Sequence, residues 1–205
     1  MALEDPDTNP NDKVIGSWLN TIDAKMLFLP AHNITMSCGT VTLDLARAKV
    51  LIVWNKRYQI YQLPKGRRNI EETMLSAAVR ETYEETGYRV KPLQLNIATR
   101  ATPAVREPGQ GNPLVTDGFV STEYLGGCLH EDPDAAGSTK TTFFYAATAD
   151  STAVPETDTQ EEWEKLVPSW IDISDAATTL RFKGEVAAVM KAVEDARKTG
   201  LTIGV

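Results

Sequence analysis

Glu81, Glu84 and Glu85 stand at offsets of zero, three and four in a stretch of helical character. That spacing puts three carboxylates on neighbouring positions of one helix face. Like charges so close repel unless a cation neutralises them, and Mg²⁺ prefers carboxylate oxygens together with water and phosphate oxygens. A solvated acidic surface helix carries the same Glu-x-x-Glu-Glu run, so the triplet alone decides nothing. Its surroundings add information. Pro64-Lys65-Gly66 precedes the helix, and a glycine there lets backbone approach a ligand closely. Lys65, Arg67 and Arg68 bring positive charge beside the carboxylates. Metal ligands and cations together suit a polyphosphate better than either does alone.

The whole stretch resembles the signature of the Nudix hydrolases, with matches at Gly66, Glu72, Arg80, Glu81, Glu84, Glu85, Gly87 and Tyr88. Thr82 departs from it, where the family usually has a larger aliphatic residue. The departure touches local packing rather than catalysis. The resemblance implies an α/β fold, an α/β/α sandwich with a mixed central sheet. It implies metal-dependent hydrolysis of a pyrophosphate-type bond. By the same resemblance Glu81, Glu84 and Glu85 hold Mg²⁺ or Mn²⁺, with the loop glycine Gly66 beside the metal. Arg80 orients Glu81 or pairs with Glu72, and Gly39 lies near the substrate cleft. Glu81 is the first expectation for the general base, with the loop carboxylates Glu107 and Glu123 as open alternatives.

The run from Gln62 to Arg68 resembles the lysine-bearing loop of family members that cleave dinucleoside polyphosphates. Lys56, Arg57, Arg100, Arg106 and Lys140 are further candidate phosphate contacts, although each alone also reads as a solvated charge. A diphosphoinositol polyphosphate or a dinucleoside polyphosphate is the expected substrate. Two other readings stay open. One is hydrolysis of nucleoside diphosphate derivatives, such as oxidised nucleotides or nucleotide sugars, with Trp54, Tyr58 or Tyr61 stacking on a base. The other is a non-catalytic module that binds phosphorylated ligands. Ala136 to Thr141 resembles a phosphate-binding loop, but Thr139 stands where that pattern needs glycine before the lysine. His32 and His130 are too few for a zinc site.

The elements that must position these groups follow from patterning. Ser37–Leu43 and Lys49–Lys56 read as strands, and Tyr58–Leu63 as a brief extended piece ended by Pro64. Asn69 with Glu72 suggests a capping box. A helix is therefore expected over 70–86, with Leu75, Val79 and Thr82 inward and Gly87 as its stop. Val90–Arg100, a segment near Phe119, Thr141–Ala146 and Leu166–Ile171 read as further strands. Residues 102–126 otherwise read as loop, and 130–138 as a polar turn. A final helix is expected from Ser174 or Asp175 to Arg197. Val14–Pro30 suggests a short helix and an edge strand.

The chain has 205 residues, enough for one domain with a full core. Residues 1–12 are expected to be a flexible tail, and 13–205 a single domain. A formal net charge of −7 argues against general nucleic-acid binding. It leaves room for a small phosphorylated molecule in a local basic pocket. The two cysteines, Cys38 and Cys128, read as free thiols. No apolar run is long enough for a bilayer and the N-terminus lacks a secretory pattern. A cytoplasmic protein, also compatible with the nucleus, is expected, as monomer or homodimer.

Overall fold

A computed structural model describes residues 10–102, 115–133, 135–160 and 165–204, with side chains from residue 15 onward. Helix α1 (Pro10–Lys25) comes first, followed by a 3₁₀ turn at Ala31–Asn33. Residues 10–12 of the expected tail belong to α1, and residues 1–9 lie outside the described set. Residues 26–30 form no edge strand.

The centre of the molecule is a mixed eight-stranded sheet. Its axis is the long strand β1 (Ile34–Asp44), which pairs in parallel with β9 (Thr139–Thr148) along ten residue pairs from Ile34↔Thr139 to Leu43↔Thr148. Strand β2 (Lys49–Asn55) pairs antiparallel with the far end of β1 at Leu43↔Val50 and Asp44↔Lys49. Strand β10 (Leu166–Asp172) closes that edge against β2. Between β1 and β2 runs the segment that carries β3 (Ile60–Gln62) and β4 (Lys65–Arg67). Strand β3 pairs with β2, and β4 pairs with β1 at Ser37↔Arg67, Cys38↔Gly66 and Gly39↔Lys65. Pro64 therefore does not end the sheet; it separates two short strands that have different partners.

Short β5 (Lys91–Pro92) and β8 (Gly126–Glu131) both add to β9. A separate ribbon joins β6 (Leu95–Asn96) to β7 (Val120–Ser121). The expected strand over 90–100 is thus two fragments, while Leu95 and Ile97 are buried in the core. Strand β8 occupies part of the predicted loop and turn.

Helix α2 (Met74–Thr86) lies on one face of the sheet, over β1, β4, β9 and β10. Helix α4 (Lys183–Lys198) covers the other face. The result is an α/β fold with a mixed sheet between helical layers, as the resemblance implied. The expected final helix is broken into a 3₁₀ turn, the four-residue α3 (Ala176–Thr179) and α4. Leu180 is extended and bridges to Tyr61, and the Arg181 N–H donates to the Tyr61 carbonyl. That bridge draws the chain out of helical geometry. On the α4 side Val41, Leu43, Val50, Ile52, Leu63, Phe144, Val189 and Val193 form the main core. Period-two alternation sends Cys38, Thr40 and Thr42 to the α2 side of β1.

Candidate active site

Helix α2 begins four residues later than its sequence suggests. Thr73 is the N-cap; its Oγ1 accepts from the Ser76 N–H at 3.2 Å. Glu71 has φ +63°, a left-handed conformation that no α-helix continues through. Residues 69–72 form a turn, closed by a bond from the Glu72 N–H to the Asn69 carbonyl. The Glu72 carboxylate still accepts the Asn69 N–H at 2.9 Å. The capping-box chemistry is present, but it belongs to the loop.

Arg80 locks that loop to the helix. Its Nε donates to Glu72 Oε1 at 2.8 Å and its Nη2 donates to Glu72 Oε2 at 2.8 Å, a two-point contact. The same Nη2 donates to the Arg67 carbonyl at 2.9 Å. Its Nη1 donates to Glu81 Oε1 and Glu84 Oε2, both at 2.7 Å. One guanidinium thus holds three carboxylates and one backbone carbonyl, a use of its planar fork that an ammonium cannot reproduce. These bonds raise the Arg80 pKa and, acting on Glu72, lower the Glu72 carboxyl below its usual range.

The buried face of α2 keeps Thr82 of the expected stripe, with Leu75 packed at its edge, but is otherwise more polar than expected. Ala77, Ala78, Glu81, Thr82, Glu85 and Thr86 are buried, while Leu75 and Val79 are half-buried. Two of the three signature glutamates therefore turn toward the sheet: Glu81 is 8% and Glu85 5% exposed. Glu85 Oε2 accepts the Lys65 N–H at 2.8 Å. Gly66 faces Glu81 so closely that a Cβ would fall 1.8 Å from Glu81 Oε2. Only glycine leaves room there for the carboxylate. Gly39 answers to a similar constraint, since its Cβ would meet the Pro64 carbonyl at 2.2 Å and the Lys65 Cβ at 2.7 Å.

Thr82 also acquires a reason. Its hydroxyl donates to the Ala78 carbonyl at 2.8 Å and meets Thr40 Oγ1 at 2.8 Å, which in turn meets Thr42 Oγ1 at 2.6 Å. All three threonines are buried. The sheet opposite α2 offers hydroxyls where an aliphatic partner would have needed apolar ones. The helix ends at Gly87, with φ +72° and no room for a Cβ beside the Glu156 carbonyl.

A family model of the NUDIX domain matches residues 37–191. The chain belongs to the Nudix family. It is an enzyme, a Nudix hydrolase, and acts by hydrolysis on a phosphate-containing substrate. Among solved structures, a *C. elegans* Ap4A hydrolase in a binary complex resembles it with a TM-score of 0.52 at 14% identity, covering 80% of this chain and 98% of that one. A MutT Nudix hydrolase from *Burkholderia pseudomallei* aligns with a TM-score of 0.48 at 19% identity, covering 77% and 97%. At 14% identity the likeness to the Ap4A hydrolase speaks for the fold alone. No curated protein matches the sequence.

In this Nudix hydrolase the remaining expected site residues are scattered. The Arg68 N–H donates to the Met36 carbonyl, and its Nη1 to the Glu72 carbonyl, so it buttresses the loop. Lys65 sends its side chain to the α4 side, where Nζ lies 3.8 Å from Glu185 Oε1. Lys140 sits on β9 opposite Thr35. Lys56 and Arg57 lie in the exposed β2–β3 turn, where Arg57 stacks on the Tyr58 ring at 5.2 Å. Trp54 and Tyr61 pack on each other at 4.7 Å. Arg106 and Glu107 lie outside the described residues. Glu123 is half-buried, and Tyr145 feels it: burial first, with Cys38, Glu123 and Tyr124, pushes that phenol up to about 12.

The family is generally metal-dependent, and the donor chemistry fits a hard divalent cation. Glu81, Glu84 and Glu85 share one side of α2, and the Gly66 cradle opens onto Glu81. Among the described residues no three His, Cys, Asp or Glu side chains converge closely enough to hold an ion. Arg80 Nη1 lies between Glu81 and Glu84 and donates to both. Cys38 and Cys128 are both free.

Proposed function

We propose that this Nudix hydrolase cleaves a pyrophosphate-type bond in a phosphate-dense substrate, a diphosphoinositol polyphosphate or a dinucleoside polyphosphate, with Mg²⁺ or Mn²⁺. The observation that carries the reading is the junction at Lys65-Gly66. There the Glu81 carboxylate fills the space left by Gly66, and Lys65 adds an ammonium next to it in sequence. Glu81, Glu84 and Glu85 would hold the metal. When bound, it supplies Lewis-acid polarisation of phosphate oxygens and a water of lowered pKa. Arg80 holds Glu81 and Glu84 in place through its Nη1. Lys65, with Arg67 and Arg68, stabilises charge that grows on the phosphate oxygens. Glu81 is the first candidate for the base, and the half-buried Glu123 is the alternative. The *C. elegans* protein is described as an Ap4A hydrolase; at 14% identity the substrate reading here rests on the cations, not on that likeness. We place the protein in the cytoplasm in the same proposal.

The test is product release with Mg²⁺ across diphosphoinositol polyphosphates, diadenosine polyphosphates and single nucleotides, with Glu84→Gln and Glu85→Gln in parallel. Turnover of the phosphate-dense compounds, lost in both variants, is expected. Turnover of single-nucleotide derivatives alone would replace the substrate assignment, and metal binding without any turnover would replace the catalytic one.

A further inference from the structure

Glu185 lies outside the Nudix signature and in the first turn of α4, on the far side of the sheet from the carboxylate helix. It is 3% exposed. Its Oε2 accepts the Leu63 N–H at 3.0 Å, and its Oε1 lies 3.8 Å from Lys65 Nζ. The next backbone N–H along the chain is that of Lys65, because Pro64 has none, and it goes to Glu85 Oε2 at 2.8 Å. Leu63-Pro64-Lys65 is therefore gripped from opposite layers by two buried carboxylates, one from α4 and one from α2. Gly39 packs against the same segment from below, with no space for a Cβ. The start of α4 is itself fixed: a Cβ on Gly184 would fall 2.7 Å from Cys128 Sγ on β8.

A carboxylate in this position is costly for stability. Burial pushes the Glu185 carboxyl up, opposed by Lys65 and by the Leu63 N–H. An apolar or amide side chain of similar volume avoids that cost. The lysine side chain has many rotamers to lose, and the Lys65 side chain, with Nζ beside Glu185, keeps 18% exposure.

We propose that Glu185 is a positioning residue: it fixes the Lys65 side chain on the α4 side of the Lys65-Gly66 junction, where substrate phosphates that extend past the Gly66 cradle meet the ammonium, and, with Glu85, sets the path of Leu63–Lys65 into that cradle. This rests on the phosphate-dense reading of the site. It extends the machinery from the signature helix to a carboxylate of the opposite layer.

The test is a double-mutant cycle on Lys65→Gln and Glu185→Gln. Affinity for methylenediphosphonate with Mg²⁺, whose bridge the enzyme cannot hydrolyse, is read by calorimetry, and KM and kcat are read on the turned-over substrate. Lys65→Gln is expected to weaken binding about tenfold, and Glu185→Gln about three- to tenfold, with little further loss in the double variant. The rise in KM should exceed the fall in kcat, while the Glu185→Gln melting temperature holds or increases. Additive losses would overturn the proposal, and so would tighter binding by Glu185→Gln, since the carboxylate would then merely oppose the anion. Should Glu185→Gln fail to fold, Glu185→Asp runs the same cycle with the same criteria. Turnover of the substrate panel with no effect of Lys65→Gln on affinity sinks this inference and leaves the function standing. Strong coupling in diphosphonate binding without turnover does the reverse.

Discussion

The two faces of the central sheet are built on different physics. The α4 face is an apolar core in which Leu43, Ile52, Leu63, Phe144 and Val189 are fully or almost fully buried. The α2 face has a small apolar cluster of Cys38, Ala77, Ala78 and Tyr145, edged by Met74, Leu75 and Phe143, and beside it lie threonine hydroxyls, glutamates and one arginine. Burial is non-directional and scales with area. Hydrogen bonds to charged groups are directional and fix geometry within tenths of an ångström. One face therefore stabilises the fold, and the other holds a precise arrangement of charge against it.

The largest contrast should come from crossing the two faces. Glu84→Gln or Glu85→Gln is expected to lower kcat by roughly 10²–10³-fold or more, the scale seen when one charge-stabilising group is lost. Ile52→Ala is expected to cost about 2–5 kcal/mol of stability with activity per folded molecule intact. Chemical denaturation and steady-state kinetics on the same preparations check both. A carboxylate variant that unfolds without a kinetic defect of its own, or an Ile52 variant that is stable but inactive, would break the division.

Arg80 sharpens the contrast because it serves geometry and stability together. Arg80→Gln leaves Glu72, Glu81 and Glu84 without their shared cation. At 24% side-chain exposure, solvent screens part of the loss. A cost of about 1–2 kcal/mol is expected, with a larger proportional fall in activity. Arg80→Lys should restore charge but not the two-point contact with Glu72, and so recover stability better than activity. Equal recovery of both would show that only the charge matters.

The same pair gives a pH signature. Arg80 holds the Glu72 carboxyl below its ordinary value, chiefly through their hydrogen bonds. A depressed carboxyl contributes stability that is fully present above its unfolded pKa and is lost as pH falls through its folded one. Asp44 behaves alike: burial opposes its ionisation, but bonds from Ser151 and Arg47 outweigh it and lower the carboxyl to about 2. Melting temperatures between pH 5 and pH 2 should fall for the wild type. Arg80→Gln should flatten that fall by removing the Glu72 part and leave the Asp44 part in place. Parallel curves for the two proteins would disprove the linkage.

The sequence displayed the α2 face better than the chemistry of its neighbours. Carboxylates at fixed offsets and a terminal glycine are local signals, and they announced the helix and its end. Its start is ambiguous in the sequence because Asn69 and Thr73 offer the same capping chemistry. The tie-breakers are the left-handed Glu71 and the reach of Arg80 back to Glu72. Strand β8 was missed because Gly126-Gly127-Cys128 has little strand propensity; pairing with β9 makes it a strand. Glu185 was invisible for a related reason. An acidic residue in the first turn of an amphipathic helix reads as a surface charge that suits the helix dipole. Its burial comes from Leu63 and Lys65, more than a hundred residues away.

The smallest effect expected probes whether the polar character of the α2 face is required or merely tolerated. Thr82→Val keeps the branched shape that the family pattern favours but removes a buried hydroxyl. Thr40 then keeps only its contact with Thr42, at 2.6 Å. Valine at 82 gains apolar burial, while Thr40 loses one of its two hydroxyl partners. The lost hydroxyl contact should outweigh the gained burial, for a net loss of about 0.5–1.5 kcal/mol. Adding Thr40→Val and Thr42→Val removes the rest of the hydroxyl chain on the strand and should recover most of that loss, because apolar side chains of the same shape leave no donor or acceptor of the chain unmet. Denaturant midpoints of the two variants measure it. Recovery would mean that this face is polar near the carboxylates but does not need to be polar beneath them. If the triple variant is worse than the single, the hydroxyl chain Thr42–Thr40–Thr82 is itself part of how α2 keeps Glu81 and Glu85 aimed at the Lys65-Gly66 junction.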